Sequence, residues 1–371
     1  MQKENHVGEI MKKEVYFDHA SASVPEKQLM ELFTAESLEF FANSEAIHAL
    51  AYRGRKAVLN AGLRISLALF GRDDYPVIWG NSATELFRLL AVFPEFSDSV
   101  TSVLEHPALL ANLNRFTNTR LLPAASDGAV RIESDVSGAE LGCFHQVQSE
   151  LGIIQDTAGL FTAAAPGCRM IDAVQAAGKI PLAKAADVWV ISGVKFGAPG
   201  GAAMLLAPQG RFTEKLLKHA SEYRHHDYAV GRVTVPVILT MARALENAVE
   251  NMTENFRRVS QINAFIRSEV QKFDIFPTMK DGVQISPYIL NLMLPYQESA
   301  VVVRALGEYG VYAASGSACS AESSTPSAAL TALGFNAKKA FRALRLSFGA
   351  ANSMEDAEIF ISALKTVLKN Y

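Results

Sequence analysis

The chain has 371 residues, with 35 Lys plus Arg against 38 Asp plus Glu and 49% hydrophobic residues. That length and apolar fraction suit a folded chain of two domains and exclude a disordered one. A net charge of -3 gives no electrostatic footprint for nucleic acid, and no apolar run approaches the roughly 18 residues that a membrane span requires.

The opening MQKENHVGEIMKKE is charged and carries no apolar h-region, so no secretory signal is expected. Residues 1–13 are polar and are expected to form a disordered tail. VYFDHASASVP then reads as a short strand entering a turn at Pro25. Helical apolar spacing follows over 27–41 and again over 56–70, where Gly71 closes the second helix. The middle of the chain alternates helical segments with short apolar runs: YPVIWG, SVTSVLE, LGCFHQVQS, RMIDAVQ, DVWVISG and AAMLLA. Runs rich in Val and Ile that do not alternate suit strands buried on both faces. Such strands belong to a mostly parallel sheet covered by helices. Pro236 opens a long helical region that continues to Phe273, a length that bridges domains. Beyond it come ILNLML, a helix over 299–310, the strand VYAAS, a short helix after Pro326, the strand ALRLSFG and an amphipathic helix over 354–368. The expected division is a large α/β domain over 26–250 and a small α+β domain made of 14–25 and 251–371.

Three cysteines, an odd number, make no disulfide framework and fit reduced thiols in a cytoplasmic protein. Cys143 and Cys168 lie among apolar residues and read as core. Cys143 and His145 form a CxH pair without the two further ligands that zinc requires, so no metal is expected.

Chemistry is sought where parallel strands end. No GxGxxG fingerprint and no P-loop follows any of them, which removes the main support for a nucleotide site. YPVIWG is followed by NSATE, small polar residues that can offer backbone N–H groups to a phosphate at a helix start. RMIDAVQ places Asp172 at a strand end, with Gln175 one turn on. DVWVISGVKFGAPGG places Lys195 just past a strand, inside a Gly-rich turn. An amine there can form a Schiff base with an aldehyde cofactor, and a carboxylate on the preceding strand can pair with a pyridinium nitrogen. Phosphate turn, carboxylate and lysine, in that order along one sheet, specify pyridoxal phosphate. Cys319 stands in SGSACSAESS, a small, polar loop suited to carrying a nucleophilic thiolate.

Over 15–367 the sequence resembles the class V, fold-type I pyridoxal-phosphate enzymes, most closely the cysteine desulfurases with the SGSAC loop. The resemblance implies a seven-stranded, mostly parallel sheet with helices on both faces and a homodimer. It implies phosphate contacts at Ala83 and Thr84 in NSATE, a ring-stacking histidine at His106 in LEHPALL, and cofactor contacts at Asp172, Gln175 and Ser192. Lys195 would hold the cofactor as a Schiff base and move protons. Cys319 would be the nucleophile, and Arg345 in LRLSFG would grip the substrate carboxylate. The implied reaction takes L-cysteine to L-alanine and leaves a persulfide on Cys319, whose sulfur passes to an acceptor or scaffold protein or to a reductant.

Three positions depart from the family pattern. Val194 precedes the lysine where the family commonly has His, and Ser149 stands where an Asn faces the cofactor oxygen. SEYRHHDYAVGRVT replaces a Gly-rich, Arg-containing stretch, with His225 and His226 as candidates for part of its role. Thr234 aligns with a Thr that reaches the neighbouring subunit's phosphate. These departures bear on specificity and rate more than on cofactor binding. They leave open a class V aminotransferase or lyase for another amino acid, selenocysteine included, and a non-catalytic relative of the fold.

Overall fold

The computed structural model describes residues 13–133, 136–223, 233–316 and 325–370. Residues 1–12 of the expected tail, the pair His225 and His226, and Cys319 lie outside the described residues.

The chain enters as β1 (Val15–Tyr16), then forms α1 (Lys27–Glu39) and α2 (Ala49–Phe70). Gly71 closes α2 as expected, at φ 70° with its N–H on Leu67 O at 2.9 Å. The start of α2 lies earlier than the apolar spacing suggests. His48 Nδ1 accepts from Ala51 N at 3.2 Å and caps a first turn that Gly54 obscures in the sequence.

Seven strands then build the main sheet. They are β2 (Val77–Gly80), β3 (Asp98–Ser102), β4 (Asn118–Leu122), β5 (Leu141–His145), β6 (Cys168–Asp172), β7 (Val188–Ser192) and β8 (Ala202–Leu206). Their order is β2-β8-β7-β6-β5-β3-β4, and β8 alone runs against its neighbours. The reversal follows from spacing: residues 193–201 between β7 and β8 are too few for the crossover that a parallel return needs. Helices α3 (Ala83–Ala91), α4 (Pro107–Phe116) and α5 (Thr157–Ala164) intervene, and α6 (Thr213–Tyr223) follows β8.

Period-two alternation sorts the strand residues between two cores. Cys143, Met170, Val188, Val190 and Met204 pack with Leu86, Leu90, Leu109 and Leu216 from α3, α4 and α6. Phe144, Ile171, Trp189 and Ile191 pack on the opposite face with Ile65, Leu160, Ile238 and Leu245. Cys143 and Cys168 are fully buried, as read from their neighbours.

The long helical region is two helices, α7 (Val235–Glu250) and α8 (Met252–Val270). Asn251 leaves the helical region at φ -97°, ψ 8°, and its Nδ2 donates to Asn247 O at 2.9 Å. A local side-chain bond of this kind competes with the helix ladder. α7 packs on α1 and α2, and α8 packs on the last helix. The remaining elements are β9 (Phe276–Pro277), β10 (Ile289–Met293), α9 (Ser299–Gly307), β11 (Val311–Tyr312), β12 (Ala314–Ser315), α10 (Ala328–Ala332), α11 (Ala337–Ala340), β13 (Ala343–Ser347) and α12 (Met354–Asn370). An antiparallel sheet runs β12-β13-β10-β9, while β1 pairs in parallel with β11. Phe17, Val259, Leu292, Leu346, Phe348 and Phe360 close a separate core around them.

Candidate active site

The carboxyl ends of β2, β5, β6 and β7 open on one cavity of about 570 Å³. Its walls come from both ends of the chain, from Ala20 and Ser21 to Arg345.

Ala83 and Thr84 are the first two residues of α3 and line this cavity. Ser82 Oγ accepts from Glu85 N at 3.2 Å, and Glu85 Oε2 accepts from Asn81 N at 2.7 Å. These bonds fix the helix start. First-turn N–H groups have no acceptor in their own helix and lie at the positive end of its dipole, which suits an anion.

His106 caps α4, its Nδ1 accepting from Ala108 N at 3.1 Å, so the neutral ring carries its proton on Nε2. Burial, then the positive charge of Lys195, holds its pKa below the ordinary histidine value.

Asp172 ends β6 and is 6% exposed. Its Oδ1 accepts from Val174 N at 2.9 Å. Burial pushes the carboxyl up to about 6, with Val174 N–H, His145 and Lys195 pulling against it. Gln175, one turn on, donates from Nε2 to Ala20 O at 2.9 Å and accepts at Oε1 from Lys179 Nζ at 3.1 Å. Burial, reinforced by the charges of Lys195 and Arg345, pushes Lys179 down to about 7.

Ser192 ends β7, and a 3-10 turn over Gly193–Lys195 follows. The turn folds back so tightly that a Cβ on Gly193 would come within 2.3 Å of Gly200 O. Glycine at 193 therefore aims Lys195. Its Nζ donates to Ser21 O at 2.5 Å. Val194 also lines the cavity, and its carbonyl accepts from Ser23 N at 2.7 Å.

Arg345 reaches the cavity from β13 and is 4% exposed. Its Nη2 donates to Asp18 Oδ1 and Ser21 Oγ, both at 2.8 Å, and its Nη1 to Ser149 O at 3.2 Å. Ser149 thus lines the cavity and serves the arginine with its carbonyl. Thr234 is placed elsewhere: it holds the N-cap position of α7 without a side-chain capping bond, is exposed and does not line this cavity.

Four more residues hold the site and carry no motif: Asp18, Ser21, Glu105 and His145. Asp18 had one legible signal, a carboxylate just past a strand, as at Asp172. Glu105 and His145 are both buried and lie within ion-pair distance of each other, and nothing in their spacing announces it. Gly316, Thr325, Pro326 and Ser327 line the cavity on either side of the segment 317–324 that contains Cys319. Ser327 Oγ donates to Glu150 Oε2 at 2.6 Å, and Gly316 N to Ala343 O at 2.7 Å.

Known proteins share this plan. The family model for aminotransferase class-V matches residues 15–360. Among curated relatives, the cysteine desulfurase IscS of Dictyoglomus turgidum is 25% identical, covering 97% of this chain and 95% of its own. That of Pectobacterium atrosepticum is 27% identical, covering 96% and 93%. Among solved structures, a NifS-like protein from Rickettsia africae superposes with a TM-score of 0.81 at 19% identity, over 96% of this chain and all of that one. The cysteine desulfurase CsdA of Escherichia coli gives a TM-score of 0.72 at 18% identity, over 96% and 95%. At these identities the structures speak to the fold, the seven-stranded α/β architecture described above. With a family model covering nearly its whole length, the chain belongs to the aminotransferase class V family of pyridoxal-phosphate-dependent enzymes.

Proposed function

We propose that this chain is a cysteine desulfurase that converts L-cysteine to L-alanine and holds the sulfur as a persulfide on Cys319. The observation that carries the reading is convergence. Lys195, Asp172, His106 and Arg345 line one cavity, and so do the residues flanking the Cys319 segment. The curated relatives named as cysteine desulfurases support it.

The donor set fits pyridoxal phosphate. A first helical turn at Ala83 and Thr84 suits its phosphate, a buried carboxylate at Asp172 suits a pyridine nitrogen, and an amine at Lys195 suits an aldehyde. His106 supplies a flat ring, and Gln175 and Ser192 add polar contacts. Ser149 stands in the position of the Asn that faces the cofactor. When bound, the group supplies an aldehyde for amines and a ring that accepts electrons from the substrate.

Arg345 binds the substrate carboxylate, which competes for the Nη donors now given to Ser21 and Ser149. Lys195 Nζ takes and returns the proton at the substrate Cα. The Cys319 thiolate attacks the substrate sulfur. The Cβ–S bond breaks, its electron pair stays with Cβ, and Cβ takes a proton to become the methyl of alanine. The persulfide sulfur then goes to an acceptor protein or a reductant.

We further infer a homodimer. Tyr52, Leu59, Leu63 and Leu67 are exposed along one stripe of α2, with Leu38, Phe41 and Ile47 exposed nearby. Thr234, exposed and outside its own cavity, is free to serve the partner's phosphate turn. The large domain is taken as 26–250 and the small one as 14–25 with 251–371, the helix break at Asn251 marking the passage between them. Cytoplasmic placement is part of this reading, and the free thiols of Cys143 and Cys168 support it. No helix among the described residues is long and apolar enough to cross a membrane.

The deciding experiment is Cys319→Ala. The variant should bind L-cysteine and shift the cofactor absorbance, yet release alanine orders of magnitude more slowly. Wild type given L-cysteine without reductant should carry one added sulfur on the Cys319 peptide. Wild-type turnover in the variant would remove the desulfurase reading and leave another class V activity.

A further inference from the structure

Behind Asp172 lie two buried groups that the reaction above does not use, Glu105 and His145. His145 ends β5 and Asp172 ends β6, and the two are register partners on neighbouring parallel strands. Their side chains therefore leave the same face of the sheet. His145 Nδ1 lies 2.8 Å from Glu105 Oε1. Glu105 is itself fixed, accepting from the His145 backbone N–H at 2.9 Å and from Ser102 Oγ at 2.7 Å. Exposure is 4% for Glu105 and 3% for His145, so water does little to screen their charges.

Both ring nitrogens are buried, and among the described residues neither meets a partner in hydrogen-bond geometry, so Nδ1 and Glu105 Oε1 approach as an ion pair. A buried nitrogen of this kind calls for an explanation. The charges supply one. The charged groups that face His145 are Glu105 and Asp172, and those that face Asp172 are Glu105, His145 and Lys195. Burial disfavours an imidazolium, but the two carboxylates outweigh it and raise the ring above the ordinary histidine value. A cation paired with Glu105, on the strand next to Asp172, is the charge state that this packing supports.

We propose that His145 is a positioning residue: held by Glu105, it keeps Asp172 a carboxylate, and through Asp172 it keeps the cofactor's pyridine nitrogen protonated. The inference rests on the reading of Asp172 as the partner of that nitrogen, and the test separates the two. The first measurement uses apoprotein labelled with carbon-13 at aspartate Cγ, with Asp172 assigned by its loss in Asp172→Asn. His145→Leu should move the Asp172 titration midpoint up by about one to three pH units, the effect of removing a close opposite charge. His145→Gln, polar and still compact, should move it in the same direction and stands in if the leucine variant does not fold. A role confined to packing would leave the midpoint in place.

The second measurement reads the nitrogen-15 shift of labelled pyridoxal phosphate bound to each variant. Asp172→Asn should move it toward the unprotonated value, and His145→Gln should move it the same way by less. A nitrogen unmoved in Asp172→Asn overturns the reading of Asp172, and the proposal with it. A nitrogen moved by Asp172→Asn, beside an Asp172 midpoint unmoved in the folded His145 variants, overturns the role of His145 alone.

Discussion

Replacing Arg345 with lysine keeps the charge and removes the fork. A guanidinium has about five N–H donors, and in this structure Asp18, Ser21 and the Ser149 carbonyl take up bonds from both Nη atoms while Nε has no partner. In the proposed reading a substrate carboxylate competes for the Nη donors now given to Ser21 and Ser149. Lysine offers about three donors radiating from one point. It cannot serve Asp18, Ser21, Ser149 and a carboxylate at once. Losing one charge-assisted bond costs about 1.5–3 kcal/mol, which is roughly tenfold to 150-fold in kcat/KM. The carboxylate is gripped before and during the chemistry alike, so the loss should sit mainly in KM. Initial rates of alanine release over a wide range of L-cysteine measure it, with urea melts run in parallel to show that the variant is folded. Asp18→Asn keeps an acceptor for Arg345 and should change KM less. A folded Arg345→Lys enzyme with KM within about twofold of wild type would refute the assignment of the substrate carboxylate to this side chain.

The free protein should show the pH signature of Asp172. Its folded pKa of about 6 lies above the unfolded value, so its contribution to stability is fully present below the unfolded pKa and is lost as pH rises through 6. The loss is on the order of 3 kcal/mol, and Asp172→Asn apoprotein should be relatively more stable near neutral pH than at pH 4. Urea midpoints that shift alike in both proteins would count against it. Gly152→Ala should destabilise by about 1–3 kcal/mol: Gly152 has φ +74°, and a Cβ there meets Ile285 Cγ2 at 3.0 Å and Ile289 Cβ at 3.1 Å. A melting curve superposable on wild type would contradict this. Leu59→Glu with Leu63→Glu should shift a dimer to monomer in sedimentation velocity. A variant pair that sediments as wild type would clear the α2 stripe of any part in assembly.

What the sequence disclosed depended on how each residue is buried. VWVIS is buried at every position of β7, so its unbroken apolar run announced a central strand. NTRLL is half-exposed at the sheet edge and has no such run, so nothing in it marks β4 as a strand. The direction of β8 lay in the length of 193–201 and not in its own residues. Across Asn251 the helical spacing continues without interruption, so the break in backbone geometry left no trace in composition. At the site, Lys195 and Asp172 were legible because strand ends and a glycine turn mark them. Glu105 and His145 act through burial and mutual charge, which no short pattern encodes. Ser149 entered as a side chain near the cofactor, and its observed bond is made by its carbonyl.

The segment over 18–23 is held by the far end of the chain. Asp18 meets Arg345 across 327 residues, Ala20 N donates to Ser347 Oγ, and Phe17 O accepts from Ser347 N. At about 5–20 residues per second, a ribosome takes roughly 15 to 65 s to travel that distance. For most of that interval β1 exists without β11, and for all of it the cavity lacks its arginine. The site therefore forms late in synthesis, whatever the large sheet has achieved by then. A transcript cut short of β11 yields a chain with its cofactor lysine and an unpaired first strand, a species recognised by chaperones and proteases rather than by substrate.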